Sequence, residues 1–118
     1  MSYLLIGLAV LAVFWIYRQQ GSGNSISARE AHALQTDTTV VFLDVRTRGE
    51  WDQFHISKAI HIPLDELDQR KNELKKYEGK KLIVYCRSGN RSATATRLLT
   101  SAGFNAVNMA GGIIAWPR

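Results

Sequence analysis

The residues most suited to chemistry stand together as Cys86, Arg87, Ser88, Gly89, Asn90, Arg91 and Ser92. Cys86 is the single cysteine of a 118-residue chain. One cysteine cannot close an intrachain disulfide, and it is too few for a cysteine-built zinc or iron–sulfur site. The bland reading of a lone cysteine is a small buried hydrophobe. Its neighbours argue otherwise. The apolar run Lys81–Tyr85 leads into Cys86, and a helical pattern begins at Arg91. A strand–loop–helix of this kind sets the sulfur beside free backbone N–H groups at the positive end of a helix. Two arginines flank the turn, and Gly89 lets it curl with its amides inward. Such a setting lowers a thiol pKa and stabilises an attached anion.

Two chemistries use a cysteine in an anion-cradling loop. Phosphate ester hydrolysis, with arsenate reduction beside it, uses a Cys-x5-Arg loop. Sulfane-sulfur transfer uses a loop one residue shorter. Here the spacing is Cys86-x4-Arg91, which suits one extra sulfur better than a tetrahedral phosphoryl group.

The elements that must position this loop follow from pattern. Ser27 with Glu30 forms a capping box, so a helix is expected to about Gln35. Val40–Asp44, Ala59–Ile62 and Lys81–Tyr85 read as short buried strands, and Pro63 stops the second. Leu64–Lys76 is helical by period, with Leu64, Leu67 and Leu74 on one face. Arg91–Ala102 is helical, with Gly103 as its stop, and Ala106–Met109 is a last strand. Continuous apolar strands alternating with helices predict an α/β domain: a short parallel sheet with helices on both faces.

Ahead of this domain, Met1–Tyr17 carries no charge. As a helix, Tyr3–Tyr17 rises roughly 22 Å, and Met1, Ser2 and a snorkelling Arg18 lengthen it toward a bilayer. Tyr3, Trp15 and Tyr17 stand where interfacial aromatics belong. The start lacks Lys or Arg and the end is bulky, unlike a cleaved signal peptide. The reading is a transmembrane anchor over 1–18, a flexible linker over 19–24 and a catalytic domain over 25–118. Arg18 follows the apolar run, so a single pass in the inner membrane leaves the domain facing the cytoplasm. The net charge of +5 is spread. Lys71, Lys75, Lys76, Lys80 and Lys81 alternate with Glu73 and Glu78, as on a solvated face, and no nucleic-acid motif appears.

The segment Cys86–Ser92 resembles the active-site loop of the rhodanese family. Leu43–Arg46, Glu50, Trp51, His55, Ile56 and Ala59–Pro63 resemble its N-terminal signature. Gly111, Gly112 and Trp116 resemble its C-terminal signature. Together these cover about residues 25–117. The chain departs from the pattern at Phe54 and Lys58, which stand where the signature has glycines. An altered loop or a partner surface is expected there, not lost chemistry.

The resemblance implies the rhodanese fold and a persulfide mechanism. Cys86 is the nucleophile toward an anionic donor such as thiosulfate, and a thiol or cyanide accepts the sulfur. A persulfide carrier serving a local partner is the alternative. The amides of Arg87, Ser88, Gly89, Asn90, Arg91 and Ser92 form the cradle, and the Arg87 and Arg91 side chains steer the anion. No cofactor or metal is called for. Asp44 and Arg46 lie near the site edge, with a structural ion pair to Glu50 the simpler reading. Ser92 reads first as a helix cap. His55 reads as a hydrogen-bonded structural residue. His32, His55 and His61 match no ligand spacing. Trp51 and Trp116 read as packing.

Overall fold

The structure is a computed structural model that describes residues 24–118. The expected membrane helix 1–18 and linker residues 19–23 lie outside the described residues. Among the described residues no helix is long and apolar enough to cross a membrane. Asn24, expected in the linker, belongs to the domain: its carbonyl accepts the N–H of Asn108 at 2.6 Å.

The elements run β1 (Ser25–Ser27), α1 (Ala28–Ala33), β2 (Val40–Asp44), α2 (Arg48–Gln53), β3 (Ile60–His61) and α3 (Leu64–Arg70). A 3-10 helix (Lys71–Tyr77), β4 (Lys81–Tyr85), α4 (Asn90–Ser101), β5 (Ala106–Ala110) and a 3-10 turn (Ile113–Ala115) complete the domain. The strands form one sheet in the order β1-β5-β4-β2-β3. Every pairing is parallel. All strands therefore run in one direction and end toward the same edge.

Side chains alternate across the strands, and this sorts the core into two layers. Leu82 and Val84 of β4 join Leu43, Leu67, Leu74, Ala95 and Leu99 on one side. Ile83 and Tyr85 join Ala31, Phe42, Val107, Met109 and Trp116 on the other. The same parity carries past the end of β4. Cys86 continues the Leu82–Val84 row and falls in the layer covered by α4. Two-residue alternation thus sends the sulfur beneath the helix that follows it.

Four expectations shift. The helix from Leu64 tightens into a 3-10 helix at Lys71, while Leu67 and Leu74 stay fully buried. The strand expected over Ala59–Ile62 shrinks to Ile60–His61. Three elements were not expected: β1, α2 and the 3-10 turn at Ile113. The helix α1 also ends sooner, at Ala33, although its Ser27–Glu30 capping box forms as read.

Candidate active site

Cys86 is 1% exposed, at the end of the sheet's central strand. The backbone turns through Gly89 at φ 109°, a left-handed conformation, and enters α4. This brings the Gly89 N–H to 3.1 Å from Cys86 Sγ and the Ser92 N–H to 3.4 Å. The Ser92 hydroxyl lies 3.3 Å from the same sulfur. Burial pushes the Cys86 thiol up. Hydrogen bonds from the Ser92 hydroxyl and from the N–H groups of Ser92, Gly89 and Ser88 outweigh it and leave the thiol below its ordinary value. A thiol held this way ionises more readily and its loop favours an anion.

The helix start is uncapped by any side chain, and its first turn holds no acidic residue. Ser92 is therefore not the cap expected of it. It is fully buried, and its hydroxyl points to the sulfur and to Asn108 Oδ1, 2.5 Å away. Asn108 Nδ2 also donates to the Gly89 carbonyl. Sequence reasoning missed Asn108, because nothing local in β5 marks it.

The loop is held from below by the segment after β5. Ile113 N–H donates to the Cys86 carbonyl at 2.9 Å and Ile114 N–H to the Arg87 carbonyl at 3.2 Å. Gly112, at φ 65°, lies so close that a Cβ there would overlap the Arg87 carbonyl. The expected Gly111–Gly112 signature thus acts as a floor for the loop.

The arginines divide. Arg87 is exposed and makes no ion pair among the described residues. Arg91 forms a two-pronged pair with Glu50 at 2.7 and 2.9 Å, so its guanidinium is held by α2. Arg91 holds the Glu50 carboxyl down to about 2. A carboxyl with a lowered folded pKa stabilises the fold above its ordinary range, and that contribution fades as pH falls toward 2. Glu50 is a site residue the sequence reading placed elsewhere, as a partner for Arg46.

Asp44 and Arg46 instead pair with each other, at 2.7 Å, both buried. Arg46 Nη2 also donates to the Phe54 carbonyl at 2.5 Å. The Arg46 carbonyl meets His61 Nε2 at 2.7 Å. Tyr85 lies under Arg46 and its hydroxyl accepts the Ile56 N–H. This network fixes the loop beside the cysteine loop and does not touch the sulfur. Trp51 stacks between His55 and His61, and His55 Nδ1 meets the Trp51 carbonyl. Trp116 is core, edge-on to Phe42 and His32.

At the two departures, Phe54 is extended, a conformation open to any residue, and half-exposed. Lys58 holds φ 67°, the left-handed backbone that glycine favours. Lysine holds this turn at a cost in backbone strain.

The chain is 34% identical over 85% of its length to a probable adenylyltransferase/sulfurtransferase, MoeZ, of Mycobacterium tuberculosis, of which it covers 26%. It is 37% identical over 70% of its length to a putative sulfur carrier protein, YrkF, of Bacillus subtilis, of which it covers 44%. The chain thus spans about a quarter to a half of these curated relatives. The crystal structure of a rhodanese-like domain protein from Staphylococcus aureus superposes with a TM-score of 0.73 at 31% identity, covering 80% of this chain and 92% of that one. A family model for the rhodanese-like domain matches residues 27–118, and the chain belongs to that family.

Proposed function

We propose that this domain is a sulfurtransferase that carries sulfane sulfur as a persulfide on Cys86. The observation that carries the reading is the Cys86 sulfur at the mouth of an uncapped helix, with two N–H groups and a hydroxyl directed at it. The Cys86 thiolate attacks the outer sulfur of an anionic donor such as thiosulfate. The donor's S–S bond breaks, and sulfite leaves with the electron pair. A thiolate or cyanide then attacks the outer sulfur of the persulfide, and the Cys86 thiolate departs. No general base is needed for either displacement; loop amides hold the charge. Exposed Arg87 meets the incoming donor. Arg91 adds positive charge from a position fixed by Glu50, and Asp44 with Arg46 supports the neighbouring loop.

A second reading is a persulfide carrier for a local partner. The likeness to a putative sulfur carrier favours it. So does the apolar segment Tyr3–Tyr17, read as a single-pass anchor with the domain on the cytoplasmic face.

A thiosulfate:cyanide assay on the full chain and on Cys86→Ser separates the readings, with intact-mass measurement beside it. The enzyme reading expects turnover in the wild type and none in the variant. Added sulfur mass without turnover leaves the carrier. The absence of both turnover and added mass rules out a thiosulfate-loaded persulfide.

A further inference from the structure

The Ser92 hydroxyl has one proton and two acceptors. Cys86 Sγ lies 3.3 Å from it and Asn108 Oδ1 lies 2.5 Å from it. The orientation of the Asn108 amide is set by its other contact. The Gly89 carbonyl can only accept, so Nδ2 must face it and Oδ1 must face Ser92. A single hydroxyl hydrogen cannot serve both acceptors at once.

We propose that Asn108 is a positioning residue that competes with Cys86 Sγ for the Ser92 hydroxyl proton, so that this hydrogen bond follows the charge on the sulfur. With a neutral sulfur, as thiol or as inner persulfide sulfur, the Ser92 proton rests on Asn108 Oδ1. When the sulfur is a thiolate, the hydroxyl turns and donates to it. This deepens the persulfide reading and rests on it. As an acceptor attacks the outer sulfur, the S–S bond breaks and its electron pair returns to Sγ. The Ser92 hydroxyl then rotates from Asn108 to the departing thiolate, and no proton changes owner. Ser92 is fully buried, so water does not replace either partner. The charged groups around the sulfur belong to other residues. They are Arg91 with Glu50 bound to it, the buried Asp44–Arg46 pair, and exposed Arg87.

The test is the pH dependence of Cys86 alkylation by iodoacetamide in the full chain, where the single cysteine gives one signal. It needs no sulfur donor, so it reads the hydroxyl whether or not thiosulfate loads the protein. Ser92→Ala should shift the midpoint up. Asn108→Ala should shift it down, with roughly fivefold more thiolate at neutral pH, the worth of one neutral hydrogen bond. Asn108→Leu fills the space of the amide and should do the same. Both Asn108 variants also lose the bond to Gly89, so each is repeated with Ser92→Ala. The proposal expects the downward shift to vanish there. An unchanged midpoint in the Ser92-bearing variants, an upward one, or an equal shift in both backgrounds overturns it.

Discussion

Two neighbouring loops, each joining a strand to a helix, leave the same edge of the sheet and end in opposite ways. After β2, Thr47 caps α2: its hydroxyl accepts the Glu50 N–H while the Glu50 carboxylate accepts the Thr47 N–H. After β4, Gly89 precedes α4 with no side-chain cap and no acidic residue in the first turn. The free N–H groups of a helix start must go somewhere. In the first loop the chain's own side chains take them. In the second they are directed at Cys86. An anion site is made here by leaving out the cap that its neighbour has, and the two loops are joined by the Arg91–Glu50 pair.

Substitutions can break or sharpen that contrast. The largest effect should come from the floor of the uncapped loop. Gly112→Ala places a Cβ against the Arg87 carbonyl in a glycine-favouring backbone. It should cost about 3 kcal/mol, read from denaturant midpoints. A loop displaced by an ångström should also lose about a hundredfold in sulfur transfer.

Thr47→Ala removes the cap of α2 and should cost about 1 kcal/mol, while the Cys86 alkylation profile stays near that of the wild type. A strong shift in that profile would mean the two loops do not separate as described.

Asn90→Asp is the converse. Asn90 is exposed at the start of α4. A carboxylate there should stabilise the helix by about 0.5 kcal/mol, raising Tm slightly. It should also raise the Cys86 thiol pKa and slow alkylation at neutral pH. Stability and reactivity moving in the same direction would sink the contrast.

The smallest effect concerns the backbone. Gly89 takes its left-handed turn at no steric cost, whereas Lys58 takes one with a side chain. Lys58→Gly relieves about 1 kcal/mol of strain but adds freedom to the unfolded chain. A net gain of about 0.3 kcal/mol, with activity unchanged, is the expected outcome. A loss of stability would show that the lysine side chain holds the turn.

Much of this was legible in the residues. The capping box at Ser27 was read, but the same pattern at Thr47–Glu50 was not, because Gly49 inside it weakened the helix signal. The pairing of Glu50 with Arg91 crosses 41 positions in sequence, so nothing local announces it. The strand β1 has three residues with a single apolar side chain, too short to carry a pattern; only its ladder with β5 makes it a strand. Ser92 looked like a cap because serine is a good one, yet the turn at Gly89 moves the helix start forward and drives Ser92 inward.

By itself the sequence determined the local matters: apolar runs of strand length, helical periods, the turn glycine, and the Cys86-x4-Arg91 spacing. Each depends on residues within a turn or two of one another. The tertiary structure alone decided which polar groups meet. It placed Asn108 on Ser92, Glu50 on Arg91, and Gly112 beneath Arg87, because parallel strands bring distant segments to one edge and burial obliges their polar atoms to find partners.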